Sequence, residues 1–177
     1  MTRQQALEDV RNSTIPAHTP RLRLKPKAPL SGYVDGAWWP HSVDLAVELP
    51  DLLAVLSVRL GRIERVMYNV GGWAPAPRKL VTGGRAVRLD GYRRQPINTI
   101  EILGLDRDRI VLMVVPPNTD PTHAHATMMA AAEPNNASTV DNLLAVDVEE
   151  RRRRTTVAAA QERWESEGGT FWTSRLG

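Results

Sequence analysis

Trp38 and Trp39 sit side by side in the run Asp35-Gly-Ala-Trp-Trp-Pro40, in a chain with 5 Trp and only 1 Phe. Successive side chains of an extended backbone point to opposite sides, so one indole should enter a core while the other meets something else. Downstream lies a cationic stretch. Between Arg59 and Arg94, nine basic residues (Arg59, Arg62, Arg65, Arg78, Lys79, Arg85, Arg88, Arg93 and Arg94) stand against two acids, Glu64 and Asp90, although the formal net charge of the chain is only +3. The rings of Trp38, Trp39, Trp73, Tyr33, Tyr68 and Tyr92 interleave with these cations. Proteins that hold single-stranded nucleic acid combine the same two residue types: bases stack on the rings at about 1–3 kcal/mol each, and phosphates pair with the cations. The candidate binding set is therefore Trp38, Trp39 and Trp73 with Arg62, Arg65, Arg78, Arg85, Arg88 and Arg93, and the partner a nucleic acid or an acidic protein. Against this stands a plainer reading, in which the rings are core and the arginines the wet face of a sheet.

Other residues allow other chemistry. Asp35, preceding a glycine and two indoles, has the setting of a carboxyl with a raised pKa. It could act as an acid or base on a small anionic substrate clamped by arginines. Asp-Gly is also turn chemistry, in which the carboxylate accepts backbone N–H bonds, and no second acid, His or nucleophile pairs with it in the sequence. His123 and His125 would share one side of a strand and could bind a metal there, but they fall in the first turns of a helix, where i and i+2 diverge, and no third ligand is evident. Gly71-Gly72 and Gly83-Gly84 lack both phosphate-loop patterns and read as hairpin turns. Arg151 to Arg154, beside Glu149, Glu150 and Glu162, read as half of a solvated, ion-paired helix. With 0 Cys, disulfides and thiolate sites are excluded. No cofactor or metal site is assigned.

The elements that must position these residues follow from periodicity. Arg21-Leu-Arg-Leu-Lys25 alternates charge and leucine, the mark of a half-buried strand. Tyr33 to Trp39 is a second strand or ordered loop. Leu45, Leu49, Leu52, Leu53, Leu56 and Leu60 recur at spacings of three and four. Because proline suits a first turn, the helix is expected over Pro50 to Leu60 with an extra turn before it, stopping at Gly61. Short strands follow at 63–70, 78–81, 86–92, 99–105 and 110–115, with a corner at 106–108; their short links favour sequential antiparallel pairing. Thr119-Asp120-Pro121 is a helix entry with a cap and a first-turn proline, followed by a short helix over Ala124 to Ala132; a second begins near Ser138, and a polar helix runs from Val148 to Glu167.

Apolar residues make up 42% and charged residues 24%, ordinary for a globular protein. No window reaches the ~18 apolar residues of a membrane span, and the first twelve residues lack an apolar signal segment, so the cytoplasm is the expected location. The runs Arg21-Leu22-x-Leu24-x-Pro26, Gly32-x-Val34-Asp35-Gly36-Ala37-Trp38-Trp39-Pro40, Glu48-Leu49-Pro50, Arg65-Val66-x-Tyr68, Trp73 and Val114-Val115-Pro116-Pro117 resemble a family of actinobacterial proteins known as a domain of unknown function, number 5994. The resemblance covers about residues 21–145, with a Trp164-Glu165-x-Glu167-Gly168-Gly169 ending. It implies an actinobacterial, cytoplasmic source and carries no catalytic residues.

The expected fold is α+β: a meandering antiparallel sheet, strongly twisted or partly closed into a barrel, with a covering helix and a helical C-terminal third. Residues 1–20 form a flexible arm, 21–146 one domain, and 147–177 a C-terminal helix and tail. The expected function is a non-catalytic binding or regulatory module with a basic, Trp-bearing surface. The alternatives are an enzyme using Asp35, or a module that self-associates through apolar helix faces into a homo-oligomer.

Overall fold

Asp44 decides where the long leucine helix starts. Its Oδ1 accepts from the N–H groups of Ala46 (3.1 Å) and Val47 (3.3 Å), so α1 runs Leu45–Leu60 and begins five residues before Pro50. The proline sits inside the helix and forgoes one backbone bond, at a cost of roughly 3 kcal/mol. The six leucines of the stripe are all buried; at about 1.5–3 kcal/mol each they outweigh it. Gly61, at φ 65°, ends the helix in a conformation that favours glycine.

The computed structural model describes residues 18–27 and 32–167. The expected arm up to residue 17 and the Gly168-Gly169 ending with the tail lie outside the described residues. Seven strands, β1 (Arg21–Leu24), β2 (Gly36–Trp39), β3 (Ile63–Asn69), β4 (Lys79–Thr82), β5 (Arg85–Tyr92), β6 (Thr99–Gly104) and β7 (Arg109–Val114), form one sheet in the order β1-β2-β7-β6-β3-β5-β4. The architecture is α+β, but the sheet is mixed and open. β2 pairs in parallel with β7, and β3 with β5, while β1 and β4 lie at opposite edges with no closure into a barrel.

The departure from a meander has a local cause. The Asn69 side chain accepts from Gly71 N–H (2.7 Å), which draws Val70–Gly72 into a short 3₁₀ turn rather than a hairpin. Pro75 and Pro77 then keep the chain extended until β4, and the tight Gly83-Gly84 turn folds β5 back into the gap between β3 and β4. Because β6 is antiparallel to both β3 and β7, strands β2, β7, β3 and β5 all run the same way. Their carboxyl ends gather at one end of the sheet.

Two cores flank the sheet. On one face α1 covers Trp38, Val66, Tyr68, Val87, Leu89, Ile100, Ile102 and Leu112. On the other, Val34, Ala37, Met113 and Val115 pack with Ala124, Met128 and Ala131 of α2 (Pro121–Ala131) and with Val140 and Leu143 of α3 (Val140–Glu167). The two helices expected from Ser138 and from Val148 are one continuous α3. α2 packs over β1, β2 and Met113 of β7, while Lys79 of β4 and Arg88 and Tyr92 of β5 are exposed on this second face, which is open there.

Candidate functional site

Strand alternation sends the adjacent indoles to opposite faces. Trp38 is 1% exposed in the α1 core, and its ring stacks on Trp73 with centroids 5.5 Å apart and planes at 21°. Trp39 lies on the α2 side, half-buried, with the Arg21 guanidinium carbon 3.5 Å above its ring. Arg21 Nε donates to Trp39 O (2.9 Å) and Nη2 to Pro40 O (2.6 Å), while Trp39 Nε1 donates to Pro117 O (3.3 Å). Trp38 is thus sealed, Trp39 carries its own cation, and Trp73 is half-buried with Trp38 against its ring.

The arginines divide by face and by end. On β5, Val87 and Leu89 point into the α1 core, while Arg88, Asp90 and Tyr92 alternate onto the uncovered face. Register then sets Lys79, Arg88 and Arg65 beside one another across β4, β5 and β3. Asp90 lies between the two arginines, 3.3 Å from Arg65 and 3.7 Å from Arg88. Arg85 shares the parity of Val87, not of Arg88. Arg62 stands before β3 and Arg85 opens β5, both at the amino end of these strands. The seven-residue β3 separates that end from Asn69 by roughly 20 Å. Arg93, exposed, follows β5 at the carboxyl end.

Arg78, Lys79 and Arg88 line one open groove of about 720 Å³ with Tyr68, Asp90, Gly91 and Tyr92. Tyr92 is 46% exposed. Gly91 is needed there, because a Cβ would come 2.5 Å from Val70 Cγ1. The Tyr68 phenol is held above its ordinary pKa, first by burial and then by the charge of Asp90. The groove therefore offers three cations, one carboxylate already engaged by arginine, and an accessible ring.

A second recess, of about 160 Å³, lies at the same end, where Pro40, Trp73, Pro116 and Pro117 meet Asn69, Asn98, Thr99 and Asn118. Three runs far apart in sequence, Trp38-Trp39-Pro40, Trp73 and Val114-Val115-Pro116-Pro117, converge on it. The family model of DUF5994, a family of unknown function, matches residues 21–131, which span β1 through α2. The chain belongs to DUF5994. No curated protein and no solved structure matches it. Within the DUF5994 domain the recess was invisible to reasoning from charge and aromatic spacing. Its polar members are neutral side chains at strand ends, and only their position beside Gly71-Gly72, Pro96 and Pro116-Pro117 marks them.

Asp35 bonds to β7 and to Lys25. Its Oδ2 accepts from Val111 N–H (2.8 Å), its N–H donates to Val111 O (2.7 Å), and its carbonyl accepts from Lys25 N–H (2.7 Å). The carboxylate does accept a backbone N–H, yet from a strand 76 residues away rather than within its own turn. Lys25, 4% exposed, donates from Nζ to Asn136 O (2.8 Å); burial lowers its pKa and Asp35 offsets part of that. His123 is half-buried, while His125 is exposed in a separate recess with Arg21, Trp39 and Met128. No group of three His, Cys, Asp or Glu among the described residues could hold a metal. No described helix is long and apolar enough to cross a membrane.

Proposed function

We propose that this DUF5994 protein is a binding module whose ligand is a single-stranded nucleic acid, held in the β3-β5-β4 groove. One observation carries the reading: Arg78, Lys79 and Arg88 surround a single 720 Å³ groove beside the accessible ring of Tyr92, where the carboxyl ends of β3 and β5 bring residues of both sheet faces together. Cations spaced along a groove neutralise successive phosphates, and a tyrosine face takes a base without regard to its identity. The groove's location supports the same reading, because in open sheets ligands gather outside the carboxyl ends of parallel strands. The indoles expected to do the stacking are engaged internally, so the ring in the proposal is Tyr92. The working arginines are Arg88 and Arg78, with Lys79.

The test is fluorescence anisotropy with a labelled single-stranded oligonucleotide. Arg78→Ala with Lys79→Ala should weaken binding by at least 10-fold, and Tyr92→Ala should weaken it further through the lost stack of about 1–3 kcal/mol. Arg62→Ala, at the far end of the sheet, should leave it unchanged. Equal loss from the Arg62 and Arg78 variants would overturn the assignment of the groove.

A further inference from the structure

We propose that the 160 Å³ recess at the strand ends is a pocket for one unpaired nucleobase. This deepens the groove reading and rests on it. The size is that of a single ring: a cavity of roughly 150 Å³ accommodates benzene. No ionisable side chain lines the recess, so the part of a ligand that enters carries no charge. Trp73, Pro40 and Pro116 supply flat apolar walls against which a ring face can lie.

The edge chemistry is that of an amide. Asn98 and Asn118 each bring a donor and an acceptor at fixed spacing, the same pair that a base presents along its edge. Thr99, 5% exposed, is wall as well: its Oγ1 donates to Pro96 O (2.6 Å). Asn69 is wall rather than reader, because its Oδ1 accepts from Gly71 N–H and its Nδ2 donates to Gln95 O. Asn98 sits at φ 62°, a left-handed conformation that asparagine tolerates better than most residues. Its carbonyl accepts from Val114 N–H (2.7 Å), which fixes the backbone that carries the amide.

The recess and the groove share one turn. Val70 lines the groove, while Asn69, Gly72 and Trp73 line the recess. A strand whose phosphates rest on Arg78, Lys79 and Arg88 passes the Val70–Gly72 turn and can place one splayed base beyond it. The groove then supplies affinity without sequence preference, and the recess supplies the preference.

Free nucleosides separate the two assignments because they carry no phosphate. In 0.5 M salt, adenosine, guanosine, cytidine and uridine are titrated in turn while the amide resonances of Gly72, Trp73 and Thr99 are followed by NMR. At least one nucleoside should shift them saturably, with a Kd on the order of 1 mM, as expected for a ring-sized ligand. Asn118→Ala, an exposed change that leaves the fold intact, should weaken that binding by about 10-fold, and in the oligonucleotide it should flatten base preference rather than abolish binding. If no nucleoside shifts these resonances, or if N-acetyltyrosinamide does so and nucleosides do not, the pocket assignment falls. Oligonucleotide binding by the groove would then still stand. Saturable nucleoside binding without oligonucleotide binding would uphold the recess and remove the groove.

Discussion

Salt dependence gives the sharpest quantitative handle on the groove. A single-stranded ligand that engages Z phosphates loses affinity with a slope of about −0.7Z in log K against log salt. Arg78, Lys79 and Arg88 line the groove, and Arg65 is held back by its 3.3 Å pair with Asp90, so Z is three and the expected slope is about −2. Raising salt from 50 to 200 mM should then weaken binding about 20-fold. Lys79→Ala with Arg88→Ala leaves one phosphate contact, and the same change of salt should cost only about 3-fold. Asp90→Asn works the other way: it frees Arg65 as a fourth cation, and the slope should steepen to about −3. The measurement is anisotropy with one oligonucleotide at five salt concentrations for the four proteins, the fourth being Arg62→Ala with Arg85→Ala as a control at the opposite end of β3 and β5. A slope shallower than −1 for the wild-type protein, or the same change from the control pair as from the groove pair, would refute the reasoning.

Three further outcomes follow from the fold itself. Asp35→Ala removes the acceptor of Val111 N–H at the start of β7 and should cost about 1–3 kcal/mol in denaturant unfolding, while Asp35→Asn keeps an acceptor oxygen and should cost clearly less; equal losses would show that the charge, not the bond, matters. Trp38→Ala should cost about 3–5 kcal/mol, because it empties a fully buried site and leaves Trp73 without its stacking partner, as thermal or denaturant unfolding would register. Tyr68 ionises near 10 in the unfolded chain, but burial and Asp90 raise the folded value. Above about pH 10 the folded state therefore holds the extra proton and stability falls as pH rises. Tyr68→Phe should flatten that alkaline limb, and an unchanged limb in the variant would count against the raised value.

Much of the frame could be read from the chain because its signals are local. The alternation at Arg21–Leu24, the leucine spacing of α1, the Asp120-Pro121 entry of α2 and the Gly83-Gly84 turn each depend on a few neighbouring residues, and each appears where the pattern placed it. Two things were not local. The Gly71-Gly72 pair looks like the Gly83-Gly84 pair, but Asn69 captures Gly71 and converts the expected hairpin into a 3₁₀ turn; that displaces β4 by one strand and makes the sheet mixed. Proline's preference for a first turn put the helix over Pro50 to Leu60 with an extra turn before it, whereas the Asp44 cap with six buried leucines behind it starts the helix at Leu45. The candidate site was legible in its residue types and misleading in its grouping. Arg85 and Arg88 are three residues apart in a strand of period two, so they had to face opposite sides. The adjacent indoles diverge for the same reason.

The direction of the strands decides which of these features can act together. Four strands, β2, β7, β3 and β5, deliver their carboxyl ends to one end of the sheet, and that end holds Pro40, the Val70–Gly72 turn, Tyr92 and Pro116-Pro117. The amino end of β6 adds Asn98 and Thr99, and β4 opens with Arg78 and Lys79 on its way from the same turn. A meander would have alternated the ends and placed Trp73 in a hairpin tip, away from Pro40 and Pro116. The parallel pair β3 and β5 is therefore what sets a cationic groove next to a neutral, ring-sized recess. Lengthening the Gly83-Gly84 turn leaves every lining residue in the chain but loosens β5 in the gap between β3 and β4. On this argument, inserting two glycines there should reduce oligonucleotide affinity through the groove while nucleoside binding in the recess, built on β2, β3, β6 and β7, persists. Simultaneous loss of both in a protein that retains its secondary structure would mean that the two recesses are one site.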